Sequence, residues 1–492
     1  MFVSGVRPHP SCPSSATREP RGGRLALAAA LLGVLLGVAA CGQAPVALPR
    51  PAAPNVWPAY GHGLDNGFNN AADTAVTPAN VRHLQYVTTV PVDAPVTSNP
   101  VVSATTVYFG TWYGQVVAAN RETGKILWSR MVTGDDHAMV HGALAQYDGR
   151  LYVAATDGRV YALNPSTGAP IWVSRPLFPA TTKDWIESGI QPYHGVLYIG
   201  IGGQNDVPTE WGGVGAVDAA TGRVLWVTNL LRYKAWGSAV FGTPALIPSV
   251  GLLVVDTGNP VYTGAVPPGP NLYSDCIVAM SMRTGKVRWA IQTHHAPNDL
   301  DLLAAPAVWN PPGGGPTLVG AGEKDGNFYA VNLQTGRLAW KADLTPKRTE
   351  TMVMVPAAVG DGRLFVGTFD QSDAVLSKGF VENYQEPATG RLLALSQRTG
   401  RLLWRFPTPA AVAAAPVLGD GLVFVESANG SLFALSEGTG KALWRGNAHG
   451  EVRHAEAALT LAGDELFVPL YVPVPGDVPA TGGVAIFRLA QG

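Results

Sequence analysis

A seven-fold repeat constrains this chain more than any other feature. Thr-Gly followed four residues later by Trp recurs as ETGKILW ending at Trp128, STGAPIW at Trp172, ATGRVLW at Trp226, RTGKVRW at Trp289, QTGRLAW at Trp340, RTGRLLW at Trp404 and GTGKALW at Trp444. Each copy follows a stretch alternating apolar and polar residues, as in GRVYALNPSTGAPIW, and a second such hairpin precedes it, as in GRLYVAATDG. Period-two alternation marks strands with one buried face, and the glycine supplies the positive φ of a tight hairpin turn. The repeating unit is thus about four strands, with the tryptophans 40 to 64 residues apart, the pattern of propeller blades.

A sheet of that size cannot bury both faces by itself, so neighbouring blades must stack, and the repeated tryptophan is placed to dock between them. All seven tryptophans therefore read as core and not as catalytic groups. The two ends of the repeat region lack the motif but carry strand-like pieces, LQYVTTVPV early and GGVAIFRLA late. A closed ring needs its edges paired, so these pieces are expected to complete an eighth blade between them. The expected fold is all-β, an eight-bladed β-propeller with tryptophan-docking repeats over residues 57–492.

Composition narrows the function classes. A formal net charge of −1 over 492 residues, with only 14% charged side chains, gives no basic track for a phosphate backbone, so no nucleic-acid partner is expected. Arg18, Arg21 and Arg24 precede the apolar run LALAAALLGVLLGVAAC, which has the layout of an export signal. Its length also approaches a membrane span, but Val38-Ala39-Ala40-Cys41 resembles a bacterial lipobox. Residues 1–41 thus read as a lipoprotein signal ending at a lipidated Cys41, and the Pro/Ala-rich residues 42–56 as a tether that buries little. The expected location is extracytoplasmic, anchored to a bacterial membrane by lipid, in the periplasm or at the cell surface. Of the three cysteines, only Cys276 remains in the propeller, so no disulfide forms there. No haem-attachment or zinc spacing exists, and Cys276 reads as a small buried apolar residue.

The Ala-x-Asp/Asn-x-x-Thr-Gly-x-x-x-Trp repeat resembles the docking motif of the pyrroloquinoline quinone (PQQ) dehydrogenases, eight-bladed quinoprotein alcohol dehydrogenases. The resemblance runs from Trp57 onward, and WPAYGHGLDNGFNNAADTAVTPANVRHL is similar in particular to the start of the polyvinyl-alcohol-dehydrogenase-like branch. It implies PQQ and Ca²⁺ as cofactors, with the metal polarising the reactive carbonyl and an aspartate taking the alcohol proton.

Three stretches carry site residues by this resemblance. GLLVVDTGNPVYTG puts Asn259 where an asparagine supplies oxygen to calcium, although an asparagine in a Gly-Asn-Pro turn also serves its own turn. IQTHHAPNDLDLLAAP, laid on the family's His-Asp-x-Trp-Asp-x-Asp pattern, puts Asp299 at the catalytic base and metal-ligand position and Asp301 at the second aspartate. The family's His-Asp and Trp-Asp partners are missing here, and by spacing alone both aspartates read equally as loop carboxylates. The two histidines read as incidental. GEKDGNFYAVN puts Lys324 where a lysine reaches the quinone oxygens, a role suited to a point charge, although a lysine in a KDG turn also reads as a solvated hairpin residue. Phe241 in GSAVFGTP stands where a tryptophan usually floors the quinone. The glutamate ligand to calcium falls in a lengthened loop, leaving Glu210 and Asp206 as competing candidates. The adjacent-cysteine pair of many such dehydrogenases is absent.

The expected function is an exported PQQ- and Ca²⁺-dependent dehydrogenase acting on a small or polymeric alcohol. Lacking a haem motif, it would pass electrons to a separate acceptor, a cytochrome or a quinone. The competing reading is a non-catalytic propeller lipoprotein that binds or scaffolds at the envelope, as in outer-membrane assembly. A central cavity that gathers Asn259, Asp299, Lys324 and an acidic ligand separates the two readings.

Overall fold

The computed structural model describes residues 44–48, 55–72, 74–134, 138–179, 184–203, 211–231, 236–237, 239–258, 260–261, 273–293, 300–346, 349–372, 388–451, 457–473 and 480–490. They form eight antiparallel blade sheets, seven of four strands and one, blade 3, in which Asp184–Trp185 adds a fifth, and two further two-stranded ladders, Trp236–Gly237 with Pro260–Val261 and Thr349–Met352 with Phe369–Ser372. Blade 1 comprises Val101–Val102, Thr106–Gly110, Gln115–Asn120 and Ile126–Met131, paired in chain order, and blades 2 to 7 follow the same path. Blade 8 joins the two ends of the ring: Leu84–Val92 pairs along Thr481–Leu489, from Leu84 opposite Leu489 to Val92 opposite Gly482. The expected eight-bladed all-β architecture is the one observed, and it closes where the alternation of the two end segments predicts.

The Thr-Gly turns explain how blades adhere. In blade 1 the loop runs from Asn120 to Lys125, longer than a two-residue hairpin, with Gly124 N–H donating to Asn120 O at 2.8 Å and Asn120 Oδ1 accepting from Thr123 N–H at 2.8 Å. At Gly168, Gly222, Gly285, Gly336, Gly400 and Gly440, φ lies between +65° and +74°, and a Cβ would sit 2.5–2.8 Å from the ring of the preceding blade's tryptophan. Glycine is required twice over, for the left-handed backbone and for the close approach. The same indoles donate across the joint: Trp128 Nε1–H to Pro165 O (3.0 Å), Trp172 to Ala219 O (3.2 Å), Trp226 to Met282 O (3.2 Å) and Trp289 to Leu333 O (2.9 Å). The series continues with Trp340 to Gln397 O (3.2 Å), Trp404 to Glu437 O (2.8 Å) and Trp444 to Leu84 O (2.9 Å).

Blade 8 has no such tryptophan, and its joint to blade 1 is held by charge instead. Glu465 accepts from Arg121 Nε (2.5 Å) and from Arg488 Nε (2.9 Å), while Arg488 Nη2 also donates to the carbonyls of Arg121 and Glu122. Thr88 fills the space over Gly124 that a tryptophan takes elsewhere.

The innermost strands would present unpaired edges to the central channel, and the segment 57–70 covers them blade by blade. Trp57 O accepts from Val102 N–H (2.8 Å), Pro58 O from Gln146 (2.7 Å), Leu64 O from Leu246 (2.6 Å), Asp65 O from Val308 (3.0 Å), Gly67 O from Val359 (2.9 Å) and Phe68 O from Leu418 (2.9 Å). The Gln191 amide reaches Tyr60 O, and the Asn70 amide reaches Leu461 O in blade 8. This belt touches all eight blades in order. Residues 44–48, expected to belong to a tether that buries little, are instead docked. Val46 is buried, its N–H donates to Thr317 Oγ1 (2.7 Å), its carbonyl accepts from Asn310 Nδ2 (2.9 Å), and Ala47 O accepts from Ser249 Oγ (2.6 Å). The short apolar stretch 44–48 lies against the turns of blades 4 and 5 through Ser249, Asn310 and Thr317, a contact that composition alone does not reveal.

The repeat breaks at one register position. Two residues beyond the partner of the first innermost-strand residue stand Gly110, Ala154, Gly322 and Gly367, but also Asp256 in blade 4 and Glu426 in blade 7. A Cβ at Gly110, Gly322 or Gly367 would lie 2.0–2.4 Å from a valine of the next blade. Asp256 and Glu426 are fully buried there, and no hydrogen bond to their carboxyl oxygens is found among the described residues. Burial, with a smaller push from the charge of Asp301, raises Asp256 to about 8, and burial alone raises Glu426 well above the carboxylate range. In both, burial favours the protonated carboxyl.

A raised folded pKa stabilises below the unfolded value, and that stabilisation is lost as pH climbs through the folded value, here from about 4 to about 8 for Asp256. Unfolding free energy of the apo-protein in chelator should therefore fall across this window, by at most about 1.4 kcal/mol per pH unit per group. The Asp256→Asn/Glu426→Gln double variant should flatten that decline in denaturant titrations. An unchanged slope would contradict the assignment.

Candidate active site

The strands run so that residues preceding each innermost strand and residues following each second strand meet at one end of the channel, opposite the turns that hold the docked N-terminal residues. Between blades 4 and 5 this end is built by Val240-Phe241-Gly242, Thr257-Gly258, Asp301-Leu302 and Glu323-Lys324. Backbone bonds fix the pieces: Gly258 N–H donates to Ala239 O (2.9 Å) and Lys324 N–H to Asp301 O (3.1 Å). Lys324 Nζ and Asp301 Oδ2 form an ion pair at 3.1 Å, with the two side chains only 4% and 9% exposed. A solvated hairpin lysine would not be so deeply buried. A Cβ at Gly258 would lie 2.6 Å from Asp301 Oδ1 and 3.0 Å from Phe241 Cε2, so only glycine lets these groups converge.

Three of the expected site residues, Phe241, Asp301 and Lys324, are thus brought together. Asn259, Asp299, Glu210, Asp206 and Cys41 lie outside the described residues. Among the described residues no group of three or more His, Cys, Asp or Glu side chains is placed to hold a metal ion.

The channel wall contributes residues that the sequence reading passed over. Phe241 lines a cavity of about 10 Å³ with Tyr60, Glu187, Thr243 and Leu303, room for about one water. Glu187 is buried at the position in blade 3 that Phe241 occupies in blade 4 and His141 in blade 2. His141 stacks on Trp112 with ring centres 5.5 Å apart, and Trp112 Nε1–H donates to Thr97 Oγ1 at 2.9 Å. Superposing the blades on the residues that precede each innermost strand would have exposed this row, which the Thr-Gly-Trp register alone does not show.

Behind Lys324 lies a second polar layer. The Thr293 hydroxyl lies 2.7 Å from Glu323 Oε1 and 2.8 Å from the Asp275 carbonyl. Burial first, then the neighbouring Asp325 and Asp275 charges, pushes Glu323 up to about 9. Cys276 is buried beside it, its thiol donating to Ser274 O at 3.1 Å, and burial first, then the Asp275 and Glu323 carboxyls, pushes the thiol up, which disfavours the thiolate.

Comparison with known proteins bears on the fold and the family. The family model PQQ_2, described as outer membrane protein assembly factor BamB, matches residues 75–309, 210–352 and 324–492. A polyvinylalcohol dehydrogenase of Pseudomonas sp is 27% identical over 411 residues, covering 72% of this chain and 60% of its own length. A quinoprotein alcohol dehydrogenase, PedH of Pseudomonas putida, is 27% identical over 244 residues, covering 47% of this chain and 37% of its own. The chain thus spans 60% and 37% of these two relatives' own lengths. The solved quinohemoprotein alcohol dehydrogenase ADHIIG of Pseudomonas putida HK5 superposes with a TM-score of 0.74 at 19% identity, over 89% of this chain and 81% of that one, which shows the shared fold. By its repeats, its eight blades and the family model that spans residues 75–492, the chain belongs to the PQQ_2 propeller family.

Proposed function

We propose that this protein is an exported, lipid-anchored dehydrogenase that uses PQQ and Ca²⁺ to oxidise an alcohol, small or polymeric, and passes the electrons to a separate acceptor. The observation that carries the reading is the convergence of buried Lys324 and Asp301 on Phe241 beside a glycine that tolerates no side chain. These residues suit a planar, anionic quinone. Phe241 offers a half-buried ring face for stacking, and Lys324 offers a desolvated cation whose position Asp301 fixes. When bound, the quinone supplies the two-electron acceptor that the side chains themselves cannot provide.

The remaining roles belong to this chain's own residues. Asp299 is the base that takes the hydroxyl proton, a task that a nearby cation aids by keeping the carboxylate charged. Asn259 and Asp299 would give oxygens to Ca²⁺. The acidic partner is Glu210 or Asp206, and Glu187, a buried carboxyl on the same channel wall, is a third candidate. Trp112 and His141 form an aromatic flank beyond the site.

Two outcomes follow. With PQQ and Ca²⁺ supplied, a dye-linked assay should register turnover on primary, secondary or polymeric alcohols, and Asp299→Ala should lower kcat/KM by about 10²-fold or more while quinone still binds. No quinone binding at micromolar concentration would instead favour the scaffold reading, and an unchanged Asp299→Ala rate would remove that residue from the role of base. In chemical denaturation, Lys324→Met should cost about 3 kcal/mol by stranding a buried carboxylate. Lys324→Met/Asp301→Leu should recover much of that loss, and equal stability of the single and double variants would contradict a buried, mutually dependent pair.

A further inference from the structure

The docked N-terminal residues and the charges around them assign a face of the propeller to the membrane. In blades 3 to 6 the turn between the first two strands and the Thr-Gly turn lie at the same end, joined by the backbone bonds Ala219 N–H to Gly195 O (2.9 Å), Met282 to Gly251 O (3.0 Å), Leu333 to Thr317 O (3.0 Å) and Gln397 to Gly362 O (3.1 Å). Val46 and Ala47 bind this end of blades 4 and 5 through Thr317, Asn310 and Ser249. Ala44, the first described residue at this end, follows Cys41 by three positions in the sequence.

The turns surrounding that docking point are basic. In blades 3 to 6 they expose Arg223, Arg283, Lys286, Arg337, Arg398 and Arg401. The acids of the same turns are Asp218, whose charge caps its own turn by accepting from Thr221 N–H and Oγ1–H, and Asp361, which is paired with Arg363 at 2.6 Å. The turns between first and second strands add no charge in blades 4 and 5. On the other side of the ring the same turns are mixed, with Glu122 beside Lys125, Asp148 beside Arg150, and Glu437 beside Lys441. The cations are therefore concentrated where the N-terminal residues dock, in a chain whose formal net charge is −1. A cluster of Lys and Arg next to a membrane attachment point is attracted to anionic headgroups within a Debye length.

We propose that the turn face of blades 3 to 6 seats on an anionic phospholipid surface, so that the channel end carrying Phe241, Asp301 and Lys324 opens away from the membrane. The lipid on Cys41 and the basic patch then act as two attachments on one face, the combination that converts a weak single-chain anchor into a stable one. A substrate would reach the site from the aqueous side and would not have to pass between protein and lipid.

The proposal rests on the exported, lipid-anchored reading, and its test separates the two. The chain beginning at Gly42 keeps every contact described above and carries no lipid. It should co-sediment with phosphatidylcholine vesicles containing phosphatidylglycerol, should not co-sediment with pure phosphatidylcholine vesicles, and should be released by high salt. Arg283→Glu/Lys286→Glu/Arg337→Glu should weaken that binding about tenfold or more, while Lys125→Glu/Arg130→Glu/Arg175→Glu, an equal charge change on blades 1 and 2, should leave it within about twofold. An environment-sensitive dye on Gln334→Cys should shift on anionic vesicles, and one on Tyr113→Cys, at the channel end, should not. Binding that ignores lipid charge, equal loss in both triple variants, or a shift at Tyr113→Cys would overturn the seating. The mass of the mature full-length chain reports independently whether Cys41 is lipidated, so a failure of the anchor and a failure of the face give different results.

Discussion

Everything in this molecule depends on one contact, an indole laid against the glycine of the next blade's turn. That glycine must be glycine, because its φ is positive and the tryptophan ring stands where a Cβ would go. The indole N–H then finds a carbonyl across the joint, so the group that buries the most apolar area also satisfies its one polar atom. Six joints are made in this way, and at the seventh Trp444 donates to Leu84 O of blade 8. The eighth, between blade 8 and blade 1, has no tryptophan and uses the buried Arg121–Glu465–Arg488 cluster. An ion cluster is a poorer source of net stability than apolar packing but is demanding in geometry, and it sits where the two ends of the ring must find each other in correct register.

Once the joints fix the blades around an axis, function follows from which side chains face the channel. Most repeats place Gly or Ala at the end of the second strand, because the next blade's valine leaves no room. Blades 4 and 7 carry Asp256 and Glu426 instead, two buried acids in a core position. One of them lies within the electrostatic reach of Asp301, at the joint where Lys324 and Phe241 meet. The site is thus assembled from two adjacent blades, each supplying a residue before its first strand and a residue after its second. The turn face opposite carries the docked N-terminal residues and the basic patch, so the two ends of the channel differ in chemistry as well as position.

Much of the fold was legible because the repeat is written in residues with a single physical job. Thr-Gly and Trp announce the turn and the dock, and the alternation of LQYVTTVPV and GGVAIFRLA announces the closing blade. Lys324 and Asp301 were legible only through a family pattern. Nothing in a KDG turn says that the lysine is buried, and the pairing spans two blades. Glu187 and His141 were missed because their shared register is set by the innermost strands, which are two to four residues long and carry no periodic signal. The docking of Val46 was hidden for a related reason. A Pro/Ala-rich segment reads as a spacer until three backbone and side-chain partners, contributed by residues about 200 to 270 positions away, appear around it.

The most direct test of the account is a crystal structure of the chain grown with PQQ and Ca²⁺. The account predicts the quinone at the channel end between blades 4 and 5, its ring against Phe241 and an oxygen within hydrogen-bond distance of Lys324 Nζ. Quinone bound elsewhere on the propeller, or a blade 4 to 5 joint that stays closed around the Lys324–Asp301 pair without admitting it, would contradict the claim that these residues form a cofactor site.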